Sequence, residues 1–351
     1  MTKIAYVINS VEGGGAALPA PRVISLLQGE GFEVVVLALT RRDGRALSAF
    51  TEAGIEVRVR DGGERDHVAA LRWLRRQLRE IAPDLVWSSL SRATVLCQLG
   101  AGRVPLVSWQ HAAFLRPANR WLMRALRRRT ALWVADSEQV AALTAARLRV
   151  SREHIMVWPL FAANREAKRA APWQLGEAVR IGSLGRLHPV KGYDVLIAGL
   201  AKVDGRFEAS IAGEGVERDS LAAQARSAGV TLSLPGFVDA ATYLASLHLY
   251  VQPSRSEGLC VAAHEAMAAG LPVVASAVGE LPNSIVEGTG LLVPPEDAAA
   301  LAEAIGRLVA APEQLAAMGE AARKRVIERF GPERFEAAGL AVVKRLRTLI
   351  G

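Results

Sequence analysis

At 351 residues the chain is long for one core and about right for two domains of roughly 150 residues each. Half of its residues are apolar, yet none of its windows approaches the roughly 18 unbroken apolar residues of a spanning helix, which excludes a transmembrane reading. Cys97 and Cys260 are its only cysteines, too few for a disulfide framework or a zinc cluster and in keeping with a reducing compartment.

The opening residues Met1-Thr-Lys-Ile-Ala-Tyr-Val-Ile-Asn9 lack a charged region before an apolar core and a small-residue cleavage site. They read as a first strand rather than a signal peptide, so a cytoplasmic location is expected. Short β-rich runs then alternate with helical patterns: strands near residues 4–9, 33–38, 85–88 and 105–109, with a helix around 21–29. Such alternation predicts a parallel sheet with crossover helices. Between Phe161 and Ala178 the pattern lapses into Ala, Arg, Lys and Pro, and a linker is placed at 164–177. The scheme restarts at Val179 and runs through strands near 208–212, 231–234, 249–252 and 273–276. The expected architecture is therefore α/β, with two Rossmann-like doubly wound domains, 1–163 and 178–331, facing across a cleft. The segment 332–351 is helical by pattern and able to pack back on the first domain.

The formal charge of +8 is unevenly distributed: residues 1–170 carry +11 and residues 171–351 carry −3. The basic half is expected to meet an anionic partner. Two of its segments, Arg72-Trp-Leu-Arg-Arg-Gln-Leu-Arg79 and Arg120-Trp-Leu-Met-Arg-Ala-Leu-Arg-Arg-Arg129, set arginines beside Trp and Leu at helical spacing. One reading of 72–79 and 120–129 is docking on an anionic membrane surface; the other is a pair of solvated helix faces. No nucleic-acid module accompanies these charges, and no nucleic-acid partner is expected.

Two stretches of the second half carry the chemistry. In Ser254-Arg-Ser-Glu-Gly-Leu-Cys-Val-Ala-Ala-His-Glu-Ala-Met, Glu257 stands at the mouth of a helix and Glu265 inside it. Were 257–265 helical throughout, the two carboxylates would lie about 12 Å apart, wider than the roughly 5 to 9.5 Å that flanks one glycosidic bond in a hydrolase. The spacing suits the two ends of a long ligand. Gly258 lets backbone approach such a ligand, and the helix start attracts anions. Alternatively, Glu257 simply caps the helix. In Gly182-Ser-Leu-Gly-Arg-Leu-His-Pro-Val-Lys-Gly192, Arg186 and Lys191 flank a glycine turn at a strand end and can place two cations beside a diphosphate. The alternative is a surface turn with two solvated charges.

The ordered set Gly185-Arg-Leu-(three residues)-Lys191-Gly192, Ile211-Ala-Gly-Glu-Gly215, Leu234-Pro-Gly-Phe237, Glu257-Gly-(six residues)-Glu265 and Gly288-Thr-Gly-Leu-Leu-Val293 resembles the retaining family-4 glycosyltransferases of the GT-B fold. The likeness covers almost all of residues 179–330 and, more loosely, the first domain. It implies a sugar transferred from a nucleotide-sugar donor to a glycan or lipid-linked acceptor, in cell-surface polysaccharide or lipopolysaccharide synthesis. By position it implies that Arg186 and Lys191 bind the donor diphosphate, Glu265 the ribose and Glu257 the sugar hydroxyls. The backbone of Gly185 and of Gly258, Leu259, Cys260 and Val261 would line the donor. It also implies electrostatic catalysis with no metal and no cofactor beyond the nucleotide-sugar co-substrate. The enzyme would then work in the cytoplasm, peripheral on the cytoplasmic face of the inner membrane.

In the first domain Glu12-Gly-Gly-Gly-Ala-Ala17 is similar to the family's glycine-rich turn, so Gly14 and Gly15 join the donor side. Trp109-Gln-His111 ends a strand where family members often carry a histidine. His111 becomes the acceptor-side candidate, with a satisfied structural histidine as the alternative. Ala135-Asp-Ser-Glu138 matches a strand-to-helix turn in which Ser137 caps the helix. Three departures stand out: Trp158-Pro-Leu-Phe161 where Asn-Gly is usual, Gly279-Glu-Leu-Pro-Asn283 where Gly-Gly-X-Pro-Glu is usual, and Cys260 in place of a frequent glycine. The rival readings are an epimerase or phosphorylase on the same fold and a non-catalytic module that binds an anionic surface.

Overall fold

The structure is a computed structural model that describes residues 1–14, 16–111 and 115–351. The chain divides into two compact units: Met1–Leu160 joined by Glu333–Gly351, and Phe161–Pro332.

The first unit holds a seven-stranded parallel sheet. Its strands are β1 (Thr2–Ile8), β2 (Phe32–Ala38), β3 (Glu56–Val59), β4 (Leu85–Ser89), β5 (Leu106–Gln110), β6 (Leu132–Ala135) and β7 (Ile155–Val157). Their order is β3-β2-β1-β4-β5-β6-β7, so the winding reverses between β1 and β4. Central strands of such a sheet are covered on both faces and read as unbroken apolar runs. Ile4–Ile8 and Leu85–Trp87 fit this and are fully buried. The edge strand Glu56–Val59 alternates charged and apolar residues and is the least buried of the seven.

The last helix, Pro332–Ile350, belongs to this first unit. Phe335 packs on Trp158 with ring centroids 5.4 Å apart, and Trp158 in turn stacks on Trp109 at 5.1 Å. Gly339 lets the helix lie against the indole, because a Cβ there would sit 2.7 Å from Trp158 Cζ2. The unusual Trp158 is thus the anvil on which the returning helix rests.

The second unit repeats the design with β8 (Val179–Leu184), β9 (Phe207–Ala212), β10 (Leu232–Gly236), β11 (Leu249–Gln252), β12 (Val273–Ser276) and β13 (Gly290–Val293). Its order is β10-β9-β8-β11-β12-β13, again all parallel, with the reversal between β8 and β11. Residues 161–177 form part of this unit: Phe161 and Ala163 are buried in its core, and the Ala170 amide donates to the Ala269 carbonyl at 2.8 Å.

Candidate functional site

In a doubly wound sheet the loops after the two strands flanking the reversal diverge to opposite faces and leave a crevice at their carboxyl ends. In the second unit those loops are 185–192, after β8, and 253–260, after β11. They carry Arg186 and Lys191 on one side and Glu257 on the other.

Backbone packing locks the two loops together. Gly192 adopts φ +66°, and a Cβ there would collide with the Pro253 carbonyl oxygen. The Arg255 amide donates to the Val190 carbonyl at 2.9 Å. The Arg255 guanidinium forks onto Asp194 at 2.8 and 2.6 Å and reaches Glu296 at 2.9 Å.

Lys191 Nζ meets Glu257 Oε1 at 2.7 Å, with side-chain exposures of 21% and 10%. Burial opposes the lysine charge, but the acidic groups around it, the Glu257 carboxylate foremost, together hold the ammonium above its ordinary range. Glu257 Oε1 also accepts from Ser254 Oγ at 2.6 Å and from Gln252 Nε2 at 3.3 Å. Arg186 is exposed, and no charged partner for it is recorded among the described residues.

The following helix spans Val261–Ala268, so Glu257 lies in the loop ahead of it and only Glu265 is helical. Cys260 takes the N-cap position with φ +63°, a left-handed conformation that explains why glycine is frequent there. Its thiol is buried, and burial with the nearby Glu257 carboxylate pushes it up beyond the usual thiol range. Leu259 is buried, while Val261 opens the helix, whose first amides find no partner inside it. Four residues after Cys260, His264 is fully buried between Phe161 and Phe330. Burial pushes its imidazole down to about 4, so it is neutral at pH 7. Its Nδ1–H therefore donates to the Cys260 carbonyl at 2.9 Å, and Nε2 accepts from Ser284 Oγ at 2.7 Å. Glu265 has no recorded hydrogen bond or ion pair among the described residues, and burial pushes its carboxyl up to about 7. Glu265 is half-buried, and an acid shielded from water with no partner among the described residues is suited to meet a ligand. The turn at 279–283 is closed differently: Glu280 is neutralised by Arg329 at 2.6 Å, and its amide donates to the Gly258 carbonyl at 2.9 Å.

In the first unit, Gly14 lies in the loop after β1, where its amide donates to the Glu12 carbonyl at 2.8 Å; Gly15 falls outside the described residues. His111 follows β5. Its Nδ1 meets Asp136, after β6, at 2.9 Å, and its Nε2 meets Ser89, at the end of β4, at 2.7 Å. The side chains of His111 and Asp136 are 7% and 4% exposed. Both ring nitrogens are therefore engaged within the unit. Asp136 and Ser89 escaped the sequence reading, although Asp136 stood in the quoted Ala135-Asp-Ser-Glu138 turn. Ser137 does cap the next helix, accepting from the Val140 amide at 3.2 Å.

Among the described residues no group of three His, Cys, Asp or Glu side chains is placed to hold a metal ion, and no helix is long and apolar enough to cross a membrane.

Two family models match the chain: "Glycosyltransferase Family 4" over residues 14–161 and "Glycosyl transferases group 1" over residues 178–311. The glycogen synthase of Mycobacterium tuberculosis is 32% identical over 285 residues, which cover 72% of this chain and 66% of that protein. The MMP alpha-(1->4)-mannosyltransferase of Mycolicibacterium hassiacum is 28% identical over 292 residues, covering 75% and 70%. Among solved structures, Anabaena HepE in complex with UDP-glucose superposes with a TM-score of 0.86 at 21% identity, over 99% of this chain and 100% of that one, a likeness of fold. With two Rossmann-like parallel-sheet units and both models matched in order, the chain belongs to the family-4, group 1 glycosyltransferases of GT-B fold.

Proposed function

We propose that the protein transfers a sugar, with retention of configuration and without a metal, from a nucleotide-sugar to a glycan or lipid-linked acceptor in cell-surface polysaccharide or lipopolysaccharide synthesis. The observation that carries this reading is the Lys191–Glu257 pair at the reversal of the second sheet, with the exposed Arg186 on the first of the two loops and Glu265, without a partner among the described residues, on the helix after the second.

In this reading Arg186 and Lys191 hold the diphosphate and stabilise its growing charge as the glycosidic bond loosens. Lysine has three N–H donors, so Lys191 can keep Glu257 and still serve a phosphate oxygen. Glu257 accepts from sugar hydroxyls, and Glu265 accepts from the two ribose hydroxyls. Ligand hydroxyls would then supply the partners that the Glu265 carboxylate lacks. The amides from Gly258 to Val261 at the helix start and the backbone of Gly185 complete the donor side of this unit. His111, held by Ser89 and Asp136, acts on the acceptor side as a fixed ring rather than a free base. The acceptor is bound by the basic first unit, whose arginine-rich helices dock on the anionic cytoplasmic face of the membrane. Relatives named for glycogen synthesis and mannosyl transfer, and a neighbour solved with UDP-glucose, support a nucleotide-sugar as donor.

The test is thermal unfolding against UDP-, GDP-, ADP- and CMP-linked sugars, with Glu265→Ala as control. A ligand at 100 times its dissociation constant adds about 2.7 kcal/mol. The expected outcome is that one nucleotide-sugar raises the melting temperature of the wild type by several degrees but not that of the variant. No shift with any of the four would reject the donor site.

A further inference from the structure

Glu257 is held asymmetrically. Its Oε1 accepts from Lys191 Nζ at 2.7 Å, Ser254 Oγ at 2.6 Å and Gln252 Nε2 at 3.3 Å. No nitrogen or oxygen donor among the described residues reaches Oε2, and the buried Cys260 thiol, a weak donor, is the one further group in hydrogen-bonding range of the carboxylate.

The direction of each bond in the network can be assigned from the inside outward. Tyr250 is fully buried; its oxygen accepts from the Leu184 amide at 3.3 Å, and its one proton goes to Gln252 Oε1 at 2.8 Å rather than to the more distant Leu184 carbonyl at 3.2 Å. The Gln252 amide therefore turns its NH2 group toward the loop, where it donates to Ser254 Oγ at 2.7 Å as well as to Glu257. Ser254 Oγ, having accepted, spends its single proton on Glu257 Oε1. Gln252 and Ser254 are themselves fully buried, so this chain is shielded from competing water.

We propose that Gln252 and Ser254 are positioning residues that saturate Glu257 Oε1 and so present Oε2, in one fixed orientation, as the acceptor for a hydroxyl of the donor sugar. A carboxylate gripped by three donors on one oxygen cannot turn that oxygen to the ligand without breaking all three. Sugar recognition is then set by the alignment of Oε2, and the diphosphate contacts of Arg186 and the remaining N–H groups of Lys191 are independent of it. This inference rests on the reading of 185–192 and 253–265 as a donor site.

Calorimetric titration tests it with UDP-glucose, GDP-mannose and ADP-glucose beside bare UDP, GDP and ADP. For whichever nucleotide-sugar binds the wild type, Ser254→Ala should weaken it at least tenfold and leave the matching bare diphosphate at wild-type affinity. Tyr250→Phe, which removes the hydroxyl that orients Gln252 together with its longer bonds to the Leu184 backbone, should shift the same ratio in the same direction by a smaller factor. A merely structural role would lower both affinities together, and that result overturns the proposal. Unchanged nucleotide-sugar affinity in both variants overturns it while the donor reading stands. A wild type that binds none of the three nucleotide-sugars overturns the donor reading and this inference together.

Discussion

Glu265 makes the pH behaviour of the second unit predictable at the level of one residue. Burial raises its carboxyl from 4.5 to about 7, so between those values the folded chain binds a proton that the unfolded chain has released. Stability therefore falls as pH rises through this window, with a slope approaching 1.4 kcal/mol per pH unit from this group. Urea unfolding at several pH values checks it: Glu265→Gln should flatten the slope between about pH 4.5 and 7, and an unaltered slope would assign the effect elsewhere. In the proposed donor reading Glu265 accepts from ribose hydroxyls, for which the ionised carboxylate is the stronger acceptor, so donor affinity should move the opposite way, strengthening as pH rises toward 8. In the first unit, Asp136→Ala leaves the buried His111 Nδ1 without its partner and should cost about 1 to 3 kcal/mol, more than Asp136→Asn, which keeps an acceptor. Equal stability of the two variants in equilibrium unfolding would mean that the asparagine oxygen makes no bond to His111 that an alanine lacks.

Helices and loops add constraints that single side chains do not. The helix Pro332–Ile350 reaches Trp158 only because residue 339 has no side chain. Gly339→Ala gains up to about 1 kcal/mol of helix propensity but sets a methyl against a rigid indole, an overpacking that costs about 1 to 3 kcal/mol. The clash should win, lowering the melting temperature; a rise would show that the helix can lift from Trp158 at little cost. The loops 185–192 and 253–260 are similarly joined, because Arg255 ties Asp194, Glu296 and the 189–190 backbone at once. That brace is what sets Lys191 against Glu257.

For the whole molecule, the charge division has a measurable consequence. The first 170 residues carry +11, and in the first unit Arg124 and the Arg127-Arg-Arg129 turn follow Trp121, which is 68% exposed. An exposed indole beside clustered arginines suits a headgroup layer, at about 1 kcal/mol per basic residue. Replacing Arg124, Arg127, Arg128 and Arg129 by Gln should reduce sedimentation with vesicles containing phosphatidylglycerol by at least tenfold and leave nucleotide-sugar binding intact. Undiminished sedimentation would dismiss the membrane face. The effect should fade with added salt, as surface charge is screened within about 10 Å at 0.1 M.

Most central strands were legible in the sequence because a strand covered on both faces is an apolar run; Ile4–Ile8, Leu249–Gln252 and Val273–Ser276 announce themselves, whereas the buried Leu132–Ala135 was missed. The short edge strands Glu56–Val59 and Ile155–Val157 were not, since three or four half-exposed residues have no such signature. Arg186, Lys191, Glu257 and Glu265 could be named from ordered motifs whose spacing is local. What the linear order could not show is which oxygen of Glu257 is occupied, that His111 has both nitrogens engaged, or that Asp136 and Ser89 engage them. Those facts depend on the parallel winding, which brings the carboxyl ends of β4, β5 and β6, and of β8 and β11, side by side across 22 to 66 positions of sequence. Chemistry-bearing residue types are written in the chain, but the direction of each hydrogen bond is decided only when tertiary packing excludes water and leaves one partner within reach.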